Sequence, residues 1–163
     1  MPTTTHRRLA IGAAALILVA GAAPAVADDG HHYRQTHARG TLLSAQLIGS
    51  LTTDADLAGV APGGADWSVS RSSVKVKANG RVEVRVRDLV LTSTGANPVT
   101  TISASLVCNG KVVDTVGPVA YDTDGDARIR DRFAVPERCL APAVLLNPAD
   151  RVGTYIAASG QAG

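Results

Sequence analysis

Two neighbouring stretches of the chain alternate regularly between apolar and polar side chains. Residues 71–77 and 81–87 place a small or apolar side chain at every second position, and the apolar members are Val74, Val76, Val82, Val84 and Val86. A period of two puts successive side chains on opposite faces of a strand. The pattern therefore predicts two half-buried β-strands.

The link between these two strands determines how they pair. A two-residue loop would place Lys75 opposite Val84 and send apolar side chains to both faces, which a sheet with one buried face does not tolerate. A three-residue loop over 78–80, with Gly80 as the left-handed residue of a bulge, pairs Lys75 with Glu83 and keeps the valines together. We predict this three-residue hairpin.

Similar turn signals recur twice further along the chain. Residues 108–110 and 123–125 end in Asn-Gly and Asp-Gly and separate further strand-like stretches, so they predict two more hairpins. In the last stretch, residues 127–135, three arginines alternate with apolar side chains, and Asp131 is an exception on the apolar side.

Together with short strand-like runs at 41–48, 142–146 and 154–158, these hairpins predict an all-β domain. Strands at this spacing are typical of a single antiparallel β-sandwich of about seven to nine strands, with immunoglobulin-like or jelly-roll-like topology. We place this domain at residues 41–160. Its expected core consists of Val74, Val76, Val82, Val84, Val86, Ile102, Leu106, Ile129 and Phe133.

The first 27 residues read as an export signal. Arg7 and Arg8 precede an apolar run, and Ala25-Val26-Ala27 fits a small-residue cleavage site. The general secretory route is favoured over the twin-arginine route, because no aromatic residue follows the arginine pair. We expect a secreted, extracellular protein with a flexible, polar, His-containing arm at 28–40 and a short tail at 161–163. No later apolar run approaches the roughly 20 residues of a membrane span.

The net charge of the chain argues against one class of partner. The chain has 16 Lys and Arg against 14 Asp and Glu, a formal net charge of +2. Two of the basic residues, Arg7 and Arg8, lie in the signal, so the mature chain is balanced at 14 against 14. A nucleic-acid binder is therefore disfavoured. We expect a monomer whose partner is an extracellular protein or a cell-wall polymer.

The two cysteines, Cys108 and Cys139, both lie in the exported portion. An oxidising compartment makes a disulfide the expected state of an isolated pair. A catalytic thiol and a metal site are the alternatives, and neither is supported by a Cys-x-x-Cys motif or a nearby histidine.

Two groups of side chains could bind metal ions. Asp122, Asp124 and Asp126 surround a tight turn, and such oxygen-rich loops suit Ca²⁺, although the helical calcium-binding loop is excluded because its glycine and glutamate positions are not matched. The plainer interpretation is a hairpin turn with solvated carboxylates. His31, His32 and His37 could bind Cu²⁺ or Zn²⁺, but a soluble tail is the simpler interpretation.

A row of basic side chains alternates with the valines. Its members could form a positive sheet face that meets an anionic wall polymer or an acidic protein. The outer face of a half-buried strand is polar in any case, so the sequence favours an ordinary solvated surface. The candidate binding residues are Lys75, Lys77, Arg81, Arg85 and Arg87.

The sequence gives little support for a catalytic site. No histidine follows His37, and no Gly-x-Ser-x-Gly motif is present, so a Ser-His-Asp site would need the N-terminal arm. We therefore expect no enzyme and no required cofactor. The leading hypothesis is a secreted non-catalytic structural or interaction module. A calcium-dependent module is the alternative, followed by a small hydrolase with an unrecognised carboxylate site.

Four segments carry a resemblance. PGGADW (62–67), SASLVCNG (103–110), CLAPAVLLNP (139–148) and TYIAASG (154–160) resemble a set of small secreted actinobacterial proteins without an assigned function. The resemblance implies export, β-structure and a paired cysteine, and it carries no catalytic residues. The immunoglobulin family is a weaker match, because Trp67 precedes both cysteines instead of lying between them.

Overall fold

The computed structural model describes residues 40–159, and every regular element in that part of the chain is a β-strand. The strands in chain order are β1 (Thr41–Ala45), β2 (Leu47–Gly49), β3 (Ala61–Pro62), β4 (Trp67–Ser68), β5 (Arg71–Lys77), β6 (Arg81–Arg87), β7 (Val90–Leu91), β8 (Thr101–Cys108), β9 (Lys111–Ala120), β10 (Ala127–Arg132), β11 (Ala143–Pro148), β12 (Thr154–Tyr155) and β13 (Ala157–Ser159). Residues 40–159 include no helix, and so none that could cross a membrane. The expected signal, the histidines of the arm and the C-terminal tail lie outside the described residues.

Nine of the strands build two large antiparallel sheets. The four-stranded sheet has the order β1-β5-β6-β10, and the five-stranded sheet has the order β2-β13-β11-β8-β9. The other four strands are only two residues long; β4 pairs antiparallel with β7, and β3 pairs parallel with β12. The predicted all-β sandwich is confirmed, and the strand count exceeds the prediction only through these two-residue strands.

The main core lies between the two large sheets. The inward valines of β5 and β6 pack against Ile102, Leu106 and Val144 of the five-stranded sheet. All nine residues predicted for the core are buried there. Alternation with a period of two is a local property of each strand, so the sequence was sufficient to select them.

The hairpin between β5 and β6 has the predicted register. Lys75 faces Glu83 and Val76 faces Val82 across the pair. The loop of residues 78–80 contains Gly80 at φ 86°, the left-handed conformation that the bulge requires.

The other two predicted hairpins need correction. The β8–β9 turn has only two loop residues, Asn109 and Gly110, because Cys108 already pairs with Lys111; both loop residues have positive φ, as a type I′ turn requires. The third hairpin does not exist: β9 ends in the five-stranded sheet, whereas β10 joins the four-stranded sheet. Residues 121–126 therefore connect the two sheets.

Two stretches predicted as single strands are each divided in two. Residues 41–48 form β1 in one sheet and the start of β2 in the other, and the break is held by Ser72, whose hydroxyl accepts from Leu47 N (2.7 Å) and donates to Leu47 O (2.9 Å). Residues 154–158 are split in the same way between β12 and β13. The pattern of single residues does not show such a change of partner.

The outer face of the five-stranded sheet is covered. Residues 50–64 fold across it so that Val60 packs with Leu145 and Tyr155 in a second apolar cluster. The Tyr155 hydroxyl donates to Ala55 O at 3.0 Å, and Gly63 N donates to Tyr155 O at 2.8 Å. The central strands of this sheet are therefore buried on both faces, and among the described residues the four-stranded sheet presents the broader face to solvent.

Cys108 and Cys139 form the predicted disulfide, 31 residues apart. The bond ties the end of β8 to the segment that follows β10. Asn109 reinforces this tie, because its backbone N–H donates to Leu140 O (2.9 Å) and its side-chain oxygen accepts from Leu140 N (3.0 Å).

Candidate functional site

The outward surface of β5, β6 and β10 concentrates positive charge. The period of two that turns the valines inward turns the charged residues of these strands outward. We call this surface the basic face. It contains Glu83 and nine basic residues, which are Arg71, Lys75, Lys77, Arg81, Arg85, Arg87, Arg128, Arg130 and Arg132.

Sheet pairing places arginines directly opposite one another on this face. Arg71 faces Arg87 across β5 and β6. Across β6 and β10, Arg85 faces Arg128 and Arg81 faces Arg132. Like charges in directly opposed positions destabilise a sheet. An ordinary solvated surface needs polar residues but gains nothing from three such pairs.

Glu83 lies at the centre of the basic face. Its Oε1 accepts from Arg85 Nη2 (2.8 Å), contacts Arg130 Nε at 3.4 Å, and bonds to Arg128. Lys75 stands opposite it on β5. Hydrogen bonding from Arg85, aided by Arg130, holds the pKa of Glu83 below its ordinary value of 4.5. One carboxylate therefore serves three arginines from two strands.

The remaining basic side chains of the face make no ion pair with a carboxylate within the described residues. Two of them bond to neutral groups: Lys77 Nζ donates to Thr41 Oγ1 (3.1 Å), and Arg132 Nη1 donates to Asn79 O (2.6 Å). The positive charge of these residues is thus available to a ligand. They are Arg71, Lys75, Lys77, Arg81, Arg87 and Arg132.

The described residues carry no net charge, but their positive and negative charges are distributed unevenly. Residues 40–159 carry twelve Lys and Arg and twelve Asp and Glu. Nine of the basic residues and one acidic residue lie on the basic face, a net charge of +8. Only three basic residues, Lys111, Arg138 and Arg151, accompany the other eleven acidic residues elsewhere, a net charge of −8.

Two open depressions lie along the boundary of β6 and β10. One, of about 370 Å³, is lined by Arg85, Arg87 and Arg128 together with Asp126. The other, of about 560 Å³, lies at the opposite end of the strands and is lined by residues that include Arg81, Arg130, Arg132 and Glu83. Each end of the basic face therefore offers a shallow recess bordered by guanidinium groups.

All five basic residues predicted from the sequence lie on this face. Arg128, Arg130 and Arg132 are not among the predicted binding residues, because the hairpin predicted at 123–125 pairs β10 with β9 instead of β6. The alternation of these three arginines with apolar residues is evident in the sequence, but the sequence does not show that β6 is the neighbouring strand.

The loop that contains Asp122, Asp124 and Asp126 connects the two large sheets, and two of its carboxylates accept hydrogen bonds from the backbone. Asp122 Oδ1 accepts from Asp126 N (2.8 Å), and Asp126 Oδ1 accepts from Asp88 N (3.1 Å). Asp124 is exposed. Among residues 40–159, no group of three or more His, Cys, Asp or Glu side chains is placed to hold a metal ion. The calcium alternative gains no ligand set here and stays an untested prediction.

Aromatic and apolar groups are missing from the basic face. The four aromatic side chains of the described region are all buried, and they are Trp67, Tyr121, Phe133 and Tyr155. The large apolar side chains exposed elsewhere in that region, such as Ile48 and Leu140, lie outside β5, β6 and β10. The face therefore offers charge and hydrogen-bond donors, without a stacking platform or an apolar anchor.

Comparison with known proteins adds no relative. The chain matches no protein-family model, no curated protein and no solved structure.

Proposed function

We propose that this chain is an extracellular, non-catalytic binding domain that docks an anionic partner on the basic face. The observation that carries the proposal is the set of directly opposed arginine pairs. Glu83 compensates Arg85 and Arg128, whereas the pair of Arg71 and Arg87 and the pair of Arg81 and Arg132 have no carboxylate partner among the described residues; these two pairs oppose folding and are explained by a ligand that supplies the missing negative charge. The covered outer face of the five-stranded sheet supports the same choice, because it leaves the four-stranded sheet with the broader exposed face.

The proposed location rests on the disulfide and on the export signal expected at residues 1–27. A disulfide persists in an oxidising compartment and is rare in the cytosol. No observation on the described residues supports the hydrolase alternative.

Retention on phosphocellulose tests the proposal. A charge-balanced protein binds such a matrix only if its positive charge is gathered on one surface. We expect the purified chain to be retained at low salt, to elute as salt rises, and to pass freely through underivatised cellulose.

A pair of double variants assigns the retention to the basic face. Lys75→Glu with Arg85→Glu should abolish it. Lys111→Glu with Arg151→Glu makes the same charge change elsewhere and should leave most of it intact. Equal losses from both double variants, or no retention of the unaltered chain, would overturn the proposal.

A further inference from the structure

We infer that the ligand of the basic face is a linear phosphate polymer that runs along β6 and contacts both ends of the face at once. This inference rests on the proposed function and specifies its ligand.

Glu83 divides the basic face into a centre and two ends. It neutralises part of the centre, where Arg85, Arg128 and Arg130 gather around its carboxylate. Apart from Lys75, which stands opposite Glu83, the basic residues without an ion pair lie at the two ends. One end holds Arg71 and Arg87, and the other holds Lys77, Arg81 and Arg132.

The two ends of the basic face are far apart. Arg81 and Arg87 are six residues apart on one strand, and at about 3.4 Å per residue this separation is about 20 Å. A small anion can occupy one end only. An extended polymer can contact both, and joining two sites in this way raises affinity by about 100-fold or more over either site alone.

The cations of the basic face are regularly spaced. Neighbouring side chains on one face are about 7 Å apart along a strand and about 5 Å apart across strands. The basic face is therefore a lattice of cations, which suits a chain that repeats its negative charge at short intervals.

The composition of the basic face favours a polymer over a protein partner. The centres of protein interfaces are enriched in arginine together with aromatic or apolar anchors, and this face has arginines without such anchors. Base stacking, which single-stranded nucleic acids use on their binding proteins, also needs exposed rings that this face lacks.

Arginine predominates among the cations of the basic face. Seven of the nine basic residues are arginines and only Lys75 and Lys77 are lysines. The planar guanidinium group donates two parallel hydrogen bonds to an oxyanion, and arginine is favoured where phosphate is recognised in this way. A polymer of phosphate groups fits these donors, and because carboxylates also accept such paired hydrogen bonds, polyglutamate is included below as a probe.

The experiment compares long-chain polyphosphate with tripolyphosphate, using the full chain in solution and isothermal titration calorimetry. We expect the long chain to bind at least about 100-fold more tightly per binding site. Its affinity should fall with salt with a log-log slope of at least about 3.5, since each of five end contacts contributes about 0.7. Equal affinities for long and short chains would overturn the spanning geometry.

Two end variants localise the contact. Arg71→Ser with Arg87→Ser removes one end, and Arg81→Ser with Arg132→Ser removes the other. Each should reduce long-chain affinity by about 100-fold towards the value for tripolyphosphate, whereas Lys111→Ser with Arg151→Ser should change it little. If removing either end leaves long-chain affinity unchanged, the inference is wrong.

Two further probes test the ligand class. Polyglutamate of comparable length should bind more weakly than long-chain polyphosphate, and so should single-stranded DNA of equal charge. Tighter binding of polyglutamate would overturn phosphate as the anionic group, and tighter binding of single-stranded DNA would overturn a phosphate polymer without bases; either result would leave the proposed function standing. If none of the four probes binds, the proposed function itself is wrong.

Discussion

Arg71 on β5 and Arg87 on β6 lie directly opposite each other on an exposed sheet face, and neither makes an ion pair within the described residues. A cross-strand position of this kind favours opposite charges. The protein therefore retains a pair that works against its own folding, as binding sites often do.

Replacing one member of this pair should separate stability from binding. Arg71→Glu creates an opposite-charge pair with Arg87 and should raise the free energy of unfolding by about 0.2 to 1 kcal/mol. The same variant should weaken binding to long-chain polyphosphate. Urea denaturation and calorimetry measure the two effects. The control Lys111→Glu, on β9, should produce neither, and a loss of stability in Arg71→Glu would contradict the prediction.

Glu83 should compete with an anionic ligand for the same arginines. Glu83→Gln frees Arg85, Arg128 and Arg130, so we expect several-fold tighter binding of polyphosphate at neutral pH and a less stable free protein. Denaturation with and without polyphosphate measures both. Unchanged affinity would show that the ligand does not reach the centre of the face.

The competition also has a predicted pH dependence. Because the pKa of Glu83 is lowered in the folded protein, its stabilising effect is present above 4.5 and is lost as pH falls through the lowered value. The charged groups facing it are Lys75 on β5, Arg85 on β6 and Arg128 and Arg130 on β10. A ligand that draws the arginines away raises the pKa of Glu83, so binding should strengthen as the pH falls. Glu83→Gln should remove this dependence.

Gly125 should tolerate no side chain. It has φ 81°, and an added Cβ would lie 2.6 Å from Leu89 O and 2.7 Å from Leu89 N. Backbone strain of about 1 to 2 kcal/mol and overpacking of about 1 to 3 kcal/mol should together destabilise Gly125→Ala by about 2 to 5 kcal/mol. Gly110 is the matched control, since its φ is 73° and nothing lies within 4 Å of an added Cβ. Gly110→Ala should lose only about 1 to 2 kcal/mol, and equal losses would contradict the role of the contact.

Tyr121 should limit stability in alkali. Its buried hydroxyl donates to Leu89 O, and burial, with Asp122 and Asp126 nearby, raises its pKa well above 10.0. Above pH 10 the unfolded chain ionises while the folded one stays protonated. The stabilising effect is therefore complete below pH 10 and is lost as the pH rises, by up to about 1.4 kcal/mol per unit.

The variant Tyr121→Phe tests this expectation. At pH 7 it should lose about 0.5 to 1.5 kcal/mol for the missing hydrogen bond. Its further loss between pH 10 and 11 should be smaller than that of the unaltered chain. Some alkaline dependence will remain, because burial also raises the pKa of Tyr155. Parallel losses in the two proteins would contradict the assignment.

Calcium should leave stability unchanged. The carboxylates of Asp122 and Asp126 already accept backbone hydrogen bonds. If the loop bound Ca²⁺, a free Ca²⁺ concentration of 100 times the dissociation constant would raise the free energy of unfolding by about 2.7 kcal/mol. We expect thermal melting in Ca²⁺ and in chelator to coincide, and a gain of that size, lost in Asp124→Ala, would establish the calcium alternative.

The sequence by itself determined the features that depend on neighbouring residues. The period of two identified the inward valines, and the loop over 78–80 left one register that kept Lys75 beside Glu83. With only two cysteines, Cys108 had a single possible partner in the chain. Each of these follows from local geometry or from the absence of alternatives.

The tertiary structure alone decided which strands lie side by side. The turn at residues 123–125 resembles a hairpin, yet β10 pairs with β6, where Ile129 lies opposite Val84 and both contribute to the main core. That choice depends on the apolar surface buried between two distant segments, which no local pattern records. It brings the arginines of β10 beside those of β6, and so the basic face, with its opposed charges, exists only in the folded chain.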